Sequence, residues 1–471
     1  VNDSRIPRDW GRRLTITAGA LAIGVLALMA GETSAAQSFA ATSARRPDSV
    51  LLAHGDNPHP VRLIVPPARP LSAMAQLGRK LFHDPSLSGS GRMACASCHD
   101  DAHAYGPPGA VSVMIGGPDM HTAGFRAVQS LRYLYRQPAF TIGPDTTAGD
   151  NDAPSNLQQQ AQQAKAHDRV LKTALSPLSA ATNIVPQGGM FWDGRADTLQ
   201  QQASGPLLNP AEMAASTPAE VAGKIEQADY AADFRALFGP NIFADSRLLM
   251  AEAMFAIGRY QIEDTSFHPF STKYDAWLEG KARLTTAEAR GFLAFNDPAR
   301  GNCAACHLDK PTKDGMPPLF TDFQYEALGV PRNAAIPANR DPIYFDLGLC
   351  GPYRKDMRDQ TQYCGMFLTP SLRNAATRKV FFHNGVFHGL DEVLDWYVNR
   401  DLQPERFYSK DGSGKVAKYD DLPAQYRQNV DTADGPFNRH PGDPPALNKQ
   451  EIRDIIAFLG TLNDGYHSRG H

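Results

Sequence analysis

Two stretches of the chain share one pattern of apolar and polar positions. They are AQLGRKLFHDPSLSGSGRMACASCH and AEARGFLAFNDPARGNCAACH. Each opens as a helical segment holding a Gly and places an aromatic about one turn later. Each then breaks at Asp-Pro and runs through a Gly-containing loop. Thr285-x-x-Glu288 has the spacing of a capping box and predicts the start of the second of these helices. Residues 447–462 show helical periodicity with a polar opposite face, which predicts a further helix. One long apolar run, Leu14 to Ala30, follows Arg12-Arg13 and precedes Thr33-Ser34-Ala35-Ala36. A positive flank, a short apolar core and small residues predict a secretory signal peptide over 1–36. The run is short for an uncleaved bilayer anchor, so no stable membrane span is expected after cleavage. Residues 37–70 carry no clear period and read as a linker or N-terminal arm; 145–165 are polar and read as an exposed loop.

Composition narrows the classes. The chain has 471 residues, 42% hydrophobic and 21% charged, which excludes a disordered or collagen-like chain. A formal net charge of −3 leaves no basic surplus for a phosphate backbone, so no nucleic-acid partner is expected.

The six cysteines fall into three pairs, Cys95/Cys98, Cys303/Cys306 and Cys350/Cys364. The first two pairs belong to Cys95-Ala96-Ser97-Cys98-His99 and Cys303-Ala304-Ala305-Cys306-His307. Cys-x-x-Cys-His is the attachment motif of c-type haem. Two thiols add to the haem vinyl groups, and the next residue brings an imidazole to the iron. A zinc site would want further Cys or His at short spacing. Two covalent haem c groups are therefore expected, with His99 and His307 as iron ligands. The fold class that follows is mainly α, with two tandem cytochrome c-type domains each carrying one covalent haem. The domains are read as 71–270 and 271–465, with an insertion at about 140–188. Covalent haem attachment takes place outside the cytoplasm on an exported, unfolded chain, so the periplasm is the expected compartment. That setting permits a Cys350–Cys364 disulfide, worth about 3 kcal/mol by loop entropy, against the alternative of two free thiols.

Three more stretches carry a resemblance. They are Phe191-Trp192-Asp193-Gly194-Arg195, then Gln202-Ala203-Ser204-Gly205-Pro206 running on to Glu212-Met213, then Pro370-Ser371-Leu372-Arg373-Asn374 continuing to Phe382-His383-Asn384-Gly385. With the two haem motifs in this order, residues 71–463 resemble the bacterial di-haem cytochrome c peroxidase and MauG family. The resemblance implies a peroxide-reactive N-terminal haem and an electron-transfer C-terminal haem. It implies Trp192 as the bridge between them and Glu212 as the acid–base residue over the reactive iron. Gln202 and Pro206 are implied to line that pocket. A blocking histidine, where the family has one, falls nearest to His121 here, because His103 is too close to His99 along the chain. The Asn that binds calcium in many members is replaced by Ala127 after Arg126, which leaves calcium doubtful. Counting twelve residues from Gly385 puts Tyr397 where typical peroxidases have the Met ligand of the second haem. MauG-type members have Tyr there. Met366 and His388 are its rivals.

The chemistry favours these residue types. A carboxylate can take a proton from one peroxide oxygen and return it to the other as the O–O bond breaks. The leading expectation is a periplasmic peroxidase that reduces hydrogen peroxide with electrons from a small cytochrome c or copper protein. The second is a MauG-like enzyme that oxidises residues of a partner protein, and the third is a di-haem electron carrier.

Overall fold

The computed structural model describes residues 47–144 and 184–467. The segment expected to direct export and the polar stretch 145–165 lie outside the described residues. The described chain is helix-rich, with a few short two-stranded pairs. In chain order the main elements are α1 (Pro47–His54), α2 (Ala73–His83), α3 (Cys95–Cys98), β1 (Ile115–Gly116), β2 (Thr122–Ala123), β3 (Thr141–Pro144) and β4 (Ile184–Gln187). Then come α4 (Leu199–Leu208), α5 (Pro218–Gln227), α6 (Ala231–Phe238), α7 (Ser246–Glu263), α8 (Lys273–Leu278) and α9 (Thr286–Asn296). The last are β5 (Tyr325–Glu326), β6 (Phe367–Leu368), α10 (Leu390–Asn399) and α11 (Lys449–Gly460).

The sequence repeat becomes a structural repeat. In the first half, α2 crosses α7 around Leu77, Leu81, Phe82 and Ile257. In the second, α9 crosses α11 around Ala289, Phe295, Ile455 and Phe458. The repeated Gly sits at each crossing. A Cβ on Gly78 would stand 1.9 Å from the Ala256 carbonyl oxygen, and one on Gly291 1.9 Å from that of Asp454. Only a residue without a side chain lets the two backbones approach this closely. The Asp-Pro pair ends each first helix in a tight turn, Asp84 accepting from Ser86 N at 2.8 Å and Asp297 from Ala299 N at 2.9 Å. The capping box read at Thr285 and Glu288 is formed, and Asn448 with Glu451 forms another at the start of α11. Replacing Gly78 or Gly291 by Ala is expected to destabilise the haem-loaded protein by about 1–3 kcal/mol each, read by denaturant unfolding. The two effects should add, because the two cores do not share residues.

The first core ends with Phe267, and the second, apart from Leu51 of α1, begins with Tyr274. Between the halves, Arg126 binds Asp346 at 2.6 Å and Arg132 binds Asp464 at 3.0 Å, while Arg126 also holds Asp193 of its own half at 2.8 Å. Strands β3 and β4 pair antiparallel from Thr141↔Gln187 to Pro144↔Ile184, so the 140–188 insertion leaves and rejoins the fold through one stem. From Pro47 on, the arm expected over 37–70 is more structured than its composition implies. Leu51 of α1 is buried in the second core, and Trp277 Nε1 and Leu284 N both donate to the Gly55 carbonyl, at 3.0 and 2.9 Å. Val61 N then donates to Leu278 O, and Ile64 N to Gly315 O, each at 2.8 Å, so the arm is strapped onto the second half. No helix among the described residues is long and apolar enough to cross a membrane.

Candidate functional site

Each half encloses a cavity behind its Cys-x-x-Cys-His stretch. The N-terminal one has about 1370 Å³ of space including its mouth, the C-terminal one about 1660 Å³. Each is a size that suits a large flat ligand. Both are walled mainly by apolar side chains, such as Met190 and Ile257 in one and Leu394 and Phe437 in the other.

The two histidines are set alike. His99 Nδ1 lies 3.0 Å from the Tyr105 carbonyl, and His307 Nδ1 lies 2.9 Å from the Phe320 carbonyl. A carbonyl only accepts, so Nδ1 carries the proton and Nε2 keeps a free lone pair for a metal. Burial pushes both imidazoles down to about 4, so both are neutral at pH 7. The carbonyl partner of His99 is itself held fast. Tyr105 stacks on Phe267 at 3.7 Å and its hydroxyl lies 2.6 Å from Ser266 Oγ. An apolar cavity edged by two cysteines and a neutral imidazole with a free nitrogen fits covalent haem, once in each half.

Glu212, Gln202, Pro206 and Trp192 all line the N-terminal cavity. Gln202 and Pro206 lie on α4, and Gln202 is buried. Glu212 is presented by the turn that follows. Asn209 Oδ1 accepts from Ala211 N at 3.0 Å, and the Asn209 carbonyl accepts from Glu212 N and Ala214 N, each at 3.0 Å. Its Nδ2 then donates to Glu212 Oε1 at 2.8 Å, which holds one carboxylate oxygen. Asn209 carried no role in the sequence reading, although Asn before Pro is a turn signal. Burial raises the Glu212 carboxyl above the ordinary glutamate value, against the pull of Arg195, Asn209 and Arg126.

Trp192 lines both cavities. Its Nε1 donates to the Ala127 carbonyl at 2.9 Å, and its own carbonyl accepts from Leu368 N at 3.0 Å. Ala127 N in turn donates to the His383 carbonyl at 2.7 Å, so the two halves are joined by hydrogen bonds around the indole. Asp193, fully buried, takes Arg126 and Arg195, each at 2.8 Å. Ala127, where the family's calcium-binding Asn is missing, thus serves Trp192. The described residues hold no group of three or more His, Cys, Asp or Glu arranged for a metal ion.

In the C-terminal cavity, Tyr397 of α10 shares the wall with His307. Its ring stacks on Phe437 at 5.1 Å, and burial raises its phenol. Met366 packs instead with Tyr325 and Leu368, and His388 is exposed at the start of α10. His121 is exposed on the β1–β2 turn and His103 is paired with Asp100 at 2.8 Å, so neither lines the N-terminal cavity. Cys350 and Cys364 are joined, with Cα atoms 5.0 Å apart. His383, quoted from the sequence without a role, is buried in the C-terminal cavity wall, stacked on Phe367 at 3.5 Å.

Residues 72–283 match the family model described as di-haem cytochrome c peroxidase. The chain is 33% identical over 424 residues to the methylamine utilization protein MauG of Paracoccus denitrificans, covering 86% of this chain and 94% of that protein. The chain belongs to the di-haem cytochrome c peroxidase and MauG family. It is also 27% identical over 351 residues to the cytochrome c551 peroxidase of Nitrosomonas europaea, covering 74% and 78% of the two chains. Among solved structures it resembles the diheme peroxidase BthA of Burkholderia thailandensis, with a TM-score of 0.71 and 35% identity over 86% of this chain and 89% of that one. The family makes this protein an oxidoreductase of the haem peroxidase kind, with haem as its cofactor.

Proposed function

We propose that the protein is a periplasmic enzyme of two cytochrome c-type halves that reduces hydrogen peroxide without first being half-reduced. Cys95 and Cys98 would hold one haem c and Cys303 and Cys306 the other, with His99, His307 and Tyr397 as iron ligands. The observation that carries the reading is the pairing of cavities. Among the described residues, the N-terminal cavity wall has His99 as its only histidine and has Glu212 on it. The C-terminal cavity wall has a tyrosine, and no methionine, together with His307 and His383.

Bound haem supplies the redox-active iron that accepts the oxidising equivalents of peroxide. The chain's residues do the rest. Glu212, as carboxylate, takes the proton from one peroxide oxygen and hands it to the other, so that water leaves. Asn209 keeps the carboxylate aimed into the cavity. Gln202 offers an amide to orient the peroxide, and Pro206 keeps its neighbourhood apolar. Trp192, in contact with both cavities, is an aromatic stop for an electron crossing between them. Each hydrogen peroxide takes two electrons and two protons to give two waters, the electrons coming from a small cytochrome c or copper protein.

A MauG-like reading, in which the electrons come from residues of a partner protein, is favoured by the 33% identity that spans 94% of MauG. Mass spectrometry of the mature protein should find two haems per chain. Adding peroxide to the fully oxidised protein should change its optical and EPR spectra at once. A protein that stays unchanged until one electron is supplied would remove the proposal.

A further inference from the structure

Two wall residues of the N-terminal cavity come from the other half of the chain, Leu368 of β6 and Tyr353. Tyr353 lies in residues 346–366, the loop closed by the Cys350–Cys364 disulfide. That loop is tied down at several points. Asp346 accepts from Arg126 Nε at 2.6 Å and Nη2 at 2.8 Å. Buried Arg354 donates from Nη1 to the carbonyls of Asp193 and Gly194, at 3.0 and 3.1 Å, directly after Trp192. Its guanidinium also lies 3.6 Å over the Phe140 ring. Leu349 N donates to Met366 O at 3.2 Å and closes the loop's base.

Between these ties Tyr353 lines the cavity that Glu212 also lines. Arg126 lies 4.8 Å and Arg195 5.4 Å from the Tyr353 ring. These are the same two cations whose charge acts on Glu212. The ring is half-buried and lines the cavity with its exposed part. Phe125, 5.8 Å away and also half-buried, continues the wall.

We infer that Tyr353 is the access filter of the N-terminal haem site, admitting hydrogen peroxide and turning away bulkier hydroperoxides and ring-shaped iron ligands. It is a specificity-determining residue that the C-terminal half supplies to the N-terminal site, and the disulfide-closed loop holds it in place. The inference rests on the peroxide-reducing reading for the substrate it selects, while the filtering itself is measurable without turnover.

The experiment uses the oxidised, haem-loaded full chain and compares wild type with Tyr353→Ala, Tyr353→Leu and Tyr353→Phe. Imidazole and cyanide affinities are read from the haem absorption, and kcat/KM is measured for cumene hydroperoxide and for hydrogen peroxide. Tyr353→Ala is expected to bind imidazole tenfold or more tightly with cyanide affinity kept. It should also raise the ratio of cumene hydroperoxide to hydrogen peroxide kcat/KM tenfold or more. Tyr353→Leu should move both readouts in the same direction by less, and it carries the test if the Ala variant does not fold. Tyr353→Phe should leave imidazole affinity and the ratio within twofold. Imidazole affinity and ratio unchanged in the Ala and Leu variants would overturn the filter. So would Tyr353→Phe matching Tyr353→Ala, since the hydroxyl rather than the bulk would then be responsible. If wild type does not consume peroxide but the Ala variant gains imidazole affinity, the filter stands and the peroxidase reading falls.

Discussion

Replacing Glu212 by glutamine is expected to slow peroxide turnover roughly 100-fold or more, the scale of a well-placed acid–base group. That is about 2.7 kcal/mol of lost transition-state stabilisation. Gln keeps the volume of Glu, and its amide oxygen still accepts from Asn209 Nδ2, so the turn at Asn209–Glu212 and both haem sites should survive. What disappears is the proton acceptor. The pH profile separates this from a packing effect. Burial raises the Glu212 carboxyl, so the acid limb of kcat/KM should lie above the ordinary glutamate value of 4.5. As pH falls through that raised value the carboxyl becomes protonated and can no longer take the peroxide proton, so the rate falls. The limb should be missing in Glu212→Gln. Rapid-mixing measurements across pH decide it, and a variant with wild-type turnover would take Glu212 out of the mechanism.

What could be read from the sequence was what is local in it. The Gly, the aromatic and the Asp-Pro of each repeat lie within a few turns of one another. Their spacing therefore revealed two related units before the crossings at Gly78 and Gly291 were seen. The capping box at Thr285 and the helix near the C-terminal end were legible for the same reason. Glu212, Trp192 and Tyr397 were named through resemblance to a family rather than from periodicity. What was not legible joins residues far apart in the chain. Arg126 gathers Asp193 and Asp346, the latter 220 positions away, and no spacing rule couples them. Tyr353 belongs by sequence to one half and by position to the other half's cavity. The arm before residue 70 has too few apolar residues to show a period. Leu51 and a handful of backbone bonds to the second half nonetheless give it a fixed path. Asn209 was the intermediate case, since its turn was visible and its grip on Glu212 was not.

Replacing Tyr397 by phenylalanine is the change with the largest expected effect on the second haem. The ring itself is held by neighbours that Phe satisfies equally, Phe437 at 5.1 Å and Phe382 at 6.0 Å, so the fold should be kept and only the phenol lost. Burial holds that phenol protonated, against the pull of Arg400. A charged phenolate in such a place needs a strong positive partner. Ferric haem iron held by His307 would be one, and ferrous iron a weaker one. Ligation by Tyr397 would therefore favour the oxidised state and lower the potential of this site, where a methionine would raise it. A lower potential would let the second site give up an electron to the first without prior reduction of the enzyme, which would tie direct reaction with peroxide to the tyrosine. In Tyr397→Phe the low-spin ferric signal of the second haem should change. The reaction of the fully oxidised protein with peroxide should slow tenfold or more, about 1.4 kcal/mol. Tyr397→Met should restore a low-spin haem, now with a methionine–iron charge-transfer band that wild type lacks, and should make activity depend on adding one electron first. If wild type already shows that band, or if Tyr397→Phe leaves the ferric spectrum untouched, the iron takes another ligand and peroxide activation proceeds by the reductive route of the ordinary di-haem peroxidases.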